Sequence, residues 1–324
     1  MKEKRILIKN PMLRYILKRL IALIPVFIGV TFITYALMYI SPSDPIEMML
    51  QAQGVPVSEA TIEAMRAEAG LDQPFLVQYV TWLGKFITGD MGVSLSDGSS
   101  IAVSLQTALP RTLLLTLASI LVTIIISIPL GIYSAIRQNR ISDYIIRVLG
   151  FIGNAMPNFL VSLLLMYFLS LKMNWLPVLA NDSFVGLIMP TMALAIPMTG
   201  KYIRQVRAAV LEQLGKSYVD GAITRGIAPT IVLMKDVFRN SLITIVTLIA
   251  LSIGSLLGGT AAIECIFSWR GVGYMVMDAI SKRDYTMIQA FVVWMAIIYV
   301  LVNLVADISY YFLDPRMKKS LGVK

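Results

Sequence analysis

Six stretches of this 324-residue chain carry no Asp, Glu, Lys or Arg: residues 20–40, 112–136, 148–171, 184–200, 241–263 and 287–306. A helix of about 20 apolar residues spans the ~30 Å hydrocarbon core of a bilayer. Five of the stretches reach that length, whereas 184–200 is short and holds Pro190 and Pro197. Prolines are tolerated in a span when neighbouring helices satisfy the backbone groups they free. Only 15% of the residues are charged and 57% are hydrophobic, where a soluble domain has about a quarter charged. The excess apolar surface has to face lipid, and the expected fold is an all-α membrane protein with six transmembrane helices.

The net charge of +9 invites a nucleic-acid reading, and the distribution of charge rejects it. With the N-terminus in the cytoplasm, the inside segments collect 21 of the 28 Lys and Arg residues. Seven precede Leu20, three are Arg137, Arg140 and Arg147, seven fall in 201–239, and four follow Asp314. The opposite orientation would violate the positive-inside bias. Both termini are therefore expected in the cytoplasm, with lipid rather than nucleic acid as the partner of the basic excess. A signal peptide is also a poor fit, because the first apolar run has 21 residues and no small-x-small site follows.

Two soluble pieces stand out. In 41–110, expected outside, Ser58 and Gly70 bracket a helical pattern as N-cap and stop. Residues 75–87 repeat that pattern with Tyr79, Trp82, Leu83 and Phe86. These helices either lie on the membrane face or pack together, covering the bundle or docking a partner. In 201–240, expected inside, 202–214 continues the fourth span into water. Residues 218–225 form a short helix stopped by Gly226, and Pro229 opens the next element.

A transporter needs an energy source, and none is evident. Gly215-Lys216-Ser217 supplies half of a phosphate-cradling loop, but Val210 stands where the first glycine belongs and no strand precedes it. The apolar stretches contain no ionisable residue of the kind ion-driven carriers bury; the nearest is Asp307. The chain has no histidine and one cysteine, Cys265, which removes Ser-His-Asp triads, HExxH and CxxC sites and any internal disulfide. The small residues Gly254, Ser255, Gly258 and Gly259 permit close helix approach in the fifth span, within the bundle, against a partner or around a pathway.

The inside loop is the most specific part. Asp220-Gly221-Ala222, three residues, then Gly226 resembles the Glu-Ala-Ala-x-x-x-Gly signature of binding-protein-dependent ABC importer permeases, and Arg239-Asn240 follows at the spacing of the dipeptide, oligopeptide and nickel branch. The sequence departs in Asp220, in Gly221, and in Asp236 where the branch often has histidine. Gly70-Leu71-Asp72-Gln73-Pro74, Gln78-Tyr79, Trp82-Leu83 and Gly89-Asp90-Met91-Gly92-x-Ser94 resemble its outside loop. Glu264, Ile266-Phe267-Ser268-Trp269, Gly271 and Gly273 resemble its Glu-x-Ile-Phe-x-Trp-Pro-Gly-x-Gly segment, with Arg270 in place of proline, and Asp314-Pro315-Arg316 fits its tail.

The resemblance implies a type-1 ABC importer permease bundle in the plasma membrane of a prokaryote. It divides the chain into a cytoplasmic N-terminus 1–19, a first span 20–40, an extracytoplasmic loop 41–110 and a permease core 108–313. The core spans are 112–136, 148–171, 184–202, 241–263 and 287–308. A cytoplasmic coupling loop 203–240 and a cytoplasmic tail 314–324 complete it. Partners would be a second permease subunit, two ATP-binding subunits and an extracytoplasmic solute-binding protein. No cofactor or metal would bind this chain, and ATP would be used by the partner subunits. Tyr218, Asp220, Gly221, Ala222, Gly226, Arg239 and Asn240 would couple to the ATPase, with Tyr218, Ala222 and Ile223 seated in its groove. Gly254, Gly258, Gly259 and Glu264 would serve packing or the pathway. The solute would be a peptide or a nickel chelate, because a chain without histidine is a poor path for a naked metal ion, and its 19 methionines read as flexible apolar filler. The alternative is a self-sufficient ion-coupled secondary transporter; a pathway-free scaffold is a further rival.

Overall fold

The computed structural model describes residues 11–40, 46–47, 50, 58–68, 70–180 and 183–313. The tail motif at 314–316 lies outside the described residues, as does the side chain of Asp307. Among the described residues the regular elements are helices: α1 (Pro11–Tyr39), α2 (Glu59–Glu68), α3 (Phe75–Ile87), α4 (Ile101–Ile136), α5 (Ile141–Ala155), α6 (Asn158–Leu165), α7 (Phe184–Leu214), α8 (Ser217–Thr224), α9 (Phe238–Phe267), α10 (Val272–Ser281) and α11 (Tyr285–Leu313). Wider π-type turns extend α6 over Met166–Lys172 and lead into α9 over Val232–Val237.

Five helical segments are long and apolar enough to cross a membrane, and α5 with the extended α6 makes a sixth if the bent pair counts as one. That pair corrects the expectation of an unbroken span over 148–171. Its two arms meet at 100°. Met156 and Pro157 both adopt extended backbone, with ψ of 128° and 140°. Proline has no N–H for the helix ladder and pushes its predecessor out of the helical region, so Asn158 starts a new helix. The opposite happens at 184–200. Despite Pro190 and Pro197, α7 runs unbroken for 31 residues, carrying the span through 202–214 as expected.

α4 shows what solvent the chain is built for. Its exposed face presents Leu114, Leu117, Leu121 and Ile125, while Thr116, Ser119, Thr123, Ser127 and Ser134 are buried. A water-exposed helix would be arranged the other way round. Small polar residues at helix contacts and large apolar ones outside are the membrane pattern. Ser119 and Thr123 satisfy their hydroxyls within the helix, donating to the Leu115 and Ser119 carbonyls at 2.8 and 2.7 Å.

The chain folds as two compact units. One comprises residues 12–112 and 270–301. In it α3 packs along α1 through aromatic rings. Phe32 lies edge-on to Phe75 and Tyr79, with centroids 5.4 Å apart in each pair, and Tyr35 lies 5.4 Å from Trp82. The Tyr79 hydroxyl shares a hydrogen bond of 2.9 Å with Thr31 Oγ1. α2 starts at Ser58, whose Oγ accepts from the Thr61 amide at 3.4 Å, and Gly70 takes φ +70° after it. The buried Asp284 carboxylate caps α11: Oδ1 accepts from the Met287 amide at 3.1 Å and Oδ2 accepts from the Ser94 hydroxyl.

Among the described residues, the other unit comprises those within 113–269 together with residue 11 and 302–313. One of its cores gathers Leu115, Leu194, Ile263 and Phe267; the other gathers Ala135, Val206, Val219, Ala222, Val237 and Ile245. α7 runs through the middle. Gly200 faces Gly150 of α5 so closely that an added Cβ would fall on the Gly150 carbonyl oxygen and lie 2.9 Å from the Asn154 nitrogen. A Cβ at Gly131 of α4 would come 2.7 Å from Val206 Cβ. Beside the α5–α7 crossing sits a buried ion pair. Asp143 is 0% exposed and accepts from Arg207 Nε at Oδ1 and Nη2 at Oδ2, both at 2.9 Å. The Ser134 hydroxyl and the Asn139 amide, at 3.0 Å, complete the carboxylate's partners.

Candidate functional site

The segment 215–240 follows α7 directly. Gly215 ends α7 and Lys216 precedes α8, so the half-motif Gly215-Lys216-Ser217 is a turn between helices, with Lys216 Nζ 3.3 Å from Glu212. α8 buries Val219 and Ala222, three apart on one face, among Val206, Val210, Val232 and Val237. That corrects the expected outward face. Ala222 points into its own bundle, because a helix this short is held only by what it packs against. Asp220, Gly221 and Ile223 are exposed, and Ile227, Ile231 and Met234 extend the exposed apolar row beyond the helix.

Polar contacts fix the geometry. The Tyr218 hydroxyl donates to Gln213 Oε1 at 3.1 Å and accepts from Asn240 Nδ2 at 3.4 Å. Two of the sequence-predicted residues, Tyr218 and Asn240, are thus brought together across 22 positions. Arg239 is exposed and has no ion-pair partner among the described residues. Asp220 lies in the first turn of α8, where a negative charge favours the helix dipole. A Cβ at Gly221 would meet nothing within 4 Å.

α8 ends in a Schellman turn: the Gly226 amide donates to Ile223 O at 2.8 Å and the Ile227 amide to Ala222 O at 3.2 Å. Gly226 supplies the required positive φ, +84°. The Glu264–Trp269 segment closes α9 with the same device. Ser268 adopts φ +54°, its amide donates to Cys265 O at 3.2 Å, and the Trp269 amide donates to Glu264 O at 2.8 Å. Both sequence signatures are therefore helix ends that turn the chain sharply. Glu264, one residue past the uncharged stretch, is fully buried within α9. Gly254 is half-buried, while a Cβ at Gly258 or Gly259 would meet nothing within 4 Å.

Sequence reasoning did not find the Asp143–Arg207 pair or the Gly150–Gly200 crossing. Asp143 carried a faint signal, an acid amid the basic residues 137–147; Arg207 was one of seven basic residues on its segment. Neither glycine belongs to a small-residue repeat.

Residues 127–319 match the family of binding-protein-dependent transport system inner membrane components. Residues 12–116 match the N-terminal model of the same membrane components. The chain belongs to this family. It is a permease subunit of an ATP-driven ABC importer and a multi-pass plasma-membrane protein. The oligopeptide transport system permease AppB of Bacillus subtilis is 35% identical, with 95% of this chain aligned to the whole of that protein. The metal-staphylopine import system permease CntB of Staphylococcus aureus is 34% identical over 95% of this chain and 99% of that one. The glutathione transport system permease GsiC of Escherichia coli is 31% identical over the same shares. A chain of the MetNI methionine ABC transporter, solved in inward-facing conformations, matches with a TM-score of 0.53 over 65% of this chain and 96% of that one. At 16% identity that likeness carries the fold, and it agrees with the expected type-1 importer bundle. None of these relatives is named as an ion-coupled carrier.

Proposed function

We propose that this permease imports a small amino-acid-derived solute, a short peptide or a metal held in such a chelate, delivered by an extracytoplasmic binding protein. The reading rests on the relatives named above, whose solutes are an oligopeptide, glutathione and a metal–staphylopine complex. A metal would travel with its own ligands, since the chain contains no histidine and no group of three or more Cys, Asp or Glu among the described residues is arranged to hold an ion. Reconstitution with its partner subunits tests this. ATP-dependent uptake of labelled di- and tripeptides or of a metal chelate is expected, and uptake of the free metal ion alone would overturn it.

In this reading both termini and the loop 203–240 are cytoplasmic, and the chain pairs with a second permease, two ATP-binding subunits and the binding protein. ATP acts at those subunits and no cofactor binds this chain. Asp220, Ile223, Ile227, Ile231 and Met234 form the surface an ATPase grips, while Val219, Ala222 and the Tyr218–Asn240 bond transmit the push into α7 and α9. Gly226 supplies the sharp exit that lets α8 project, and Gly254, Gly258, Gly259 and Glu264 serve the helix seam or pathway. ATP binding would close the ATPases and shift the helices between two packed arrangements. Ile223→Asp is expected to abolish ATP-driven uptake while leaving the chain folded. Full transport by that variant, or by a deletion of 218–226, would sink the coupling role.

A further inference from the structure

The α5–α7 crossing borders an open recess that the transport reading leaves unused. Gly150 and Gly200 line a recess of about 430 Å³ beside the crossing, with Phe151 in its wall and Arg147, Arg204 and Arg207 around it. Cavities of this size accommodate small ligands.

The charges there do not cancel. Asp143 engages Arg207 through both carboxylate oxygens. Arg147 lies over the Tyr144 ring at 5.4 Å, Arg204 is exposed, and neither has a carboxylate partner among the described residues. Three guanidiniums against one carboxylate leave two positive charges on an otherwise apolar recess. Arginine forks match phosphate oxygens in pairs, which makes an anionic phosphate the complementary ligand.

Position selects the kind of phosphate. Arg204 and Arg207 follow closely on the uncharged stretch 184–200 of α7, and Arg147 of α5 lines the same recess. That is the level at which hydrocarbon gives way to headgroups. Beside the recess the outer face of α5 presents Ile145, Leu149 and Ile152, each at least half exposed and spaced as one helical stripe. A phosphate with acyl chains satisfies both surfaces at once, and a free phosphate satisfies only one. Basic pockets between spans at a membrane surface hold anionic lipid headgroups for the same reason.

We propose that the cavity between α5 and α7 binds the headgroup phosphate of an anionic phospholipid, held by Arg147 and Arg204, with its acyl chains along the outer face of α5. This site is independent of the solute and of the ATPase surface. The test is native mass spectrometry of the purified full-length chain titrated with phosphatidylglycerol, with phosphatidylcholine of the same acyl chains, and with soluble glycerol phosphate. Phosphatidylglycerol is expected to bind at least tenfold more tightly than phosphatidylcholine. The R147Q/R204Q variant is expected to lose about 30-fold of that affinity, since each cationic contact near a membrane surface contributes about 1 kcal/mol. R137Q/R140Q, outside the cavity, is expected to stay within about twofold of the unsubstituted chain. Equal binding of the two lipids overturns the proposal, and so does a folded R147Q/R204Q chain with undiminished binding. Glycerol phosphate occupying the site as tightly as the lipid would make it a free-anion site and would also overturn it. Should R147Q/R204Q fail to fold, the headgroup comparison on the unsubstituted chain decides alone.

Discussion

α1 and α7 both belong to the membrane, yet they are built for different neighbours. In α1 the apolar window is 11% buried within this chain; in α7 it is 56% buried. α1 carries large apolar side chains outward, among them Ile21, Ile33 and Leu37. α7 is the less apolar of the two and holds Pro190, Pro197, Gly200 and Arg207. Hydropathy reports how much lipid a helix meets, so the helix at the centre of a bundle gives the weaker signal. α1 also holds a proline and a glycine, Pro25 and Gly29, so what sets α7 apart is the buried charge of its Arg207–Asp143 pair and the backbone contact at Gly200. If this contrast is right, substitutions should hurt in proportion to how much protein surrounds the site.

The largest effect is expected where α7 buries charge. Arg207→Gln leaves the fully buried Asp143 carboxylate without its bidentate partner. Breaking such a pair costs about 3–5 kcal/mol, whereas neutralising both members costs far less. An SDS titration of the purified chain in mixed micelles should show the single variant strongly destabilised and Asp143→Asn with Arg207→Gln partly restored. A single variant as stable as the parent would break the contrast at its strongest point.

Next comes the glycine crossing. Gly200→Ala puts a methyl onto the Gly150 carbonyl, an atom of backbone that cannot rotate away. Overpacking of this kind costs about 1–3 kcal/mol. Gly29→Ala in α1 has nothing within 4 Å and is expected to be neutral in the same titration. Equal effects at the two glycines would mean that α7 is no more tightly packed than α1.

These two sites also mark the limit of what could be read from the sequence. Apolar length located the spans, and Ser58, Gly70, Gly226 and Pro229 marked helix ends, because both signals are local. The bend at Met156–Pro157 was also local, but the apolar run 148–171 hid it. Asp143 and Arg207 lie 64 positions apart and Gly150 and Gly200 lie 50 apart, so only the folded chain pairs them. The orientation of α8 was lost for a related reason. Val219 lies on one face with Ala222 at i+3 and equally with Ile223 at i+4, and nothing local says which of the two the bundle covers.

α1 is anchored to α3 by the Tyr35–Gln78 and Thr31–Tyr79 hydrogen bonds, and the second sets the third prediction. Tyr79→Phe removes the hydroxyl that bonds Thr31 but keeps the ring packed edge-on to Phe32 and beside Trp82. The expected loss is about 1 kcal/mol, typical of one hydrogen bond. A loss as large as that of Arg207→Gln would show that α1 depends on α3 as heavily as α7 depends on α5.

The smallest effect is expected at α8, which meets neither lipid on all sides nor protein on all sides. Gly221 has open space where a Cβ would go, so alanine there adds helix propensity without a clash. Glycine in a helix interior is disfavoured by up to about 1 kcal/mol relative to alanine. Gly221→Ala should therefore slow hydrogen exchange of the α8 amides by up to about fivefold while leaving global unfolding unchanged, a local gain in a segment that opens separately from the bundle. Unchanged exchange would mean that α8 opens only with the core that Val219 and Ala222 enter. In that case α8 would belong with α7, on the protein-facing side of the contrast, and a push applied at Ile223 would reach the bundle without first having to order the helix.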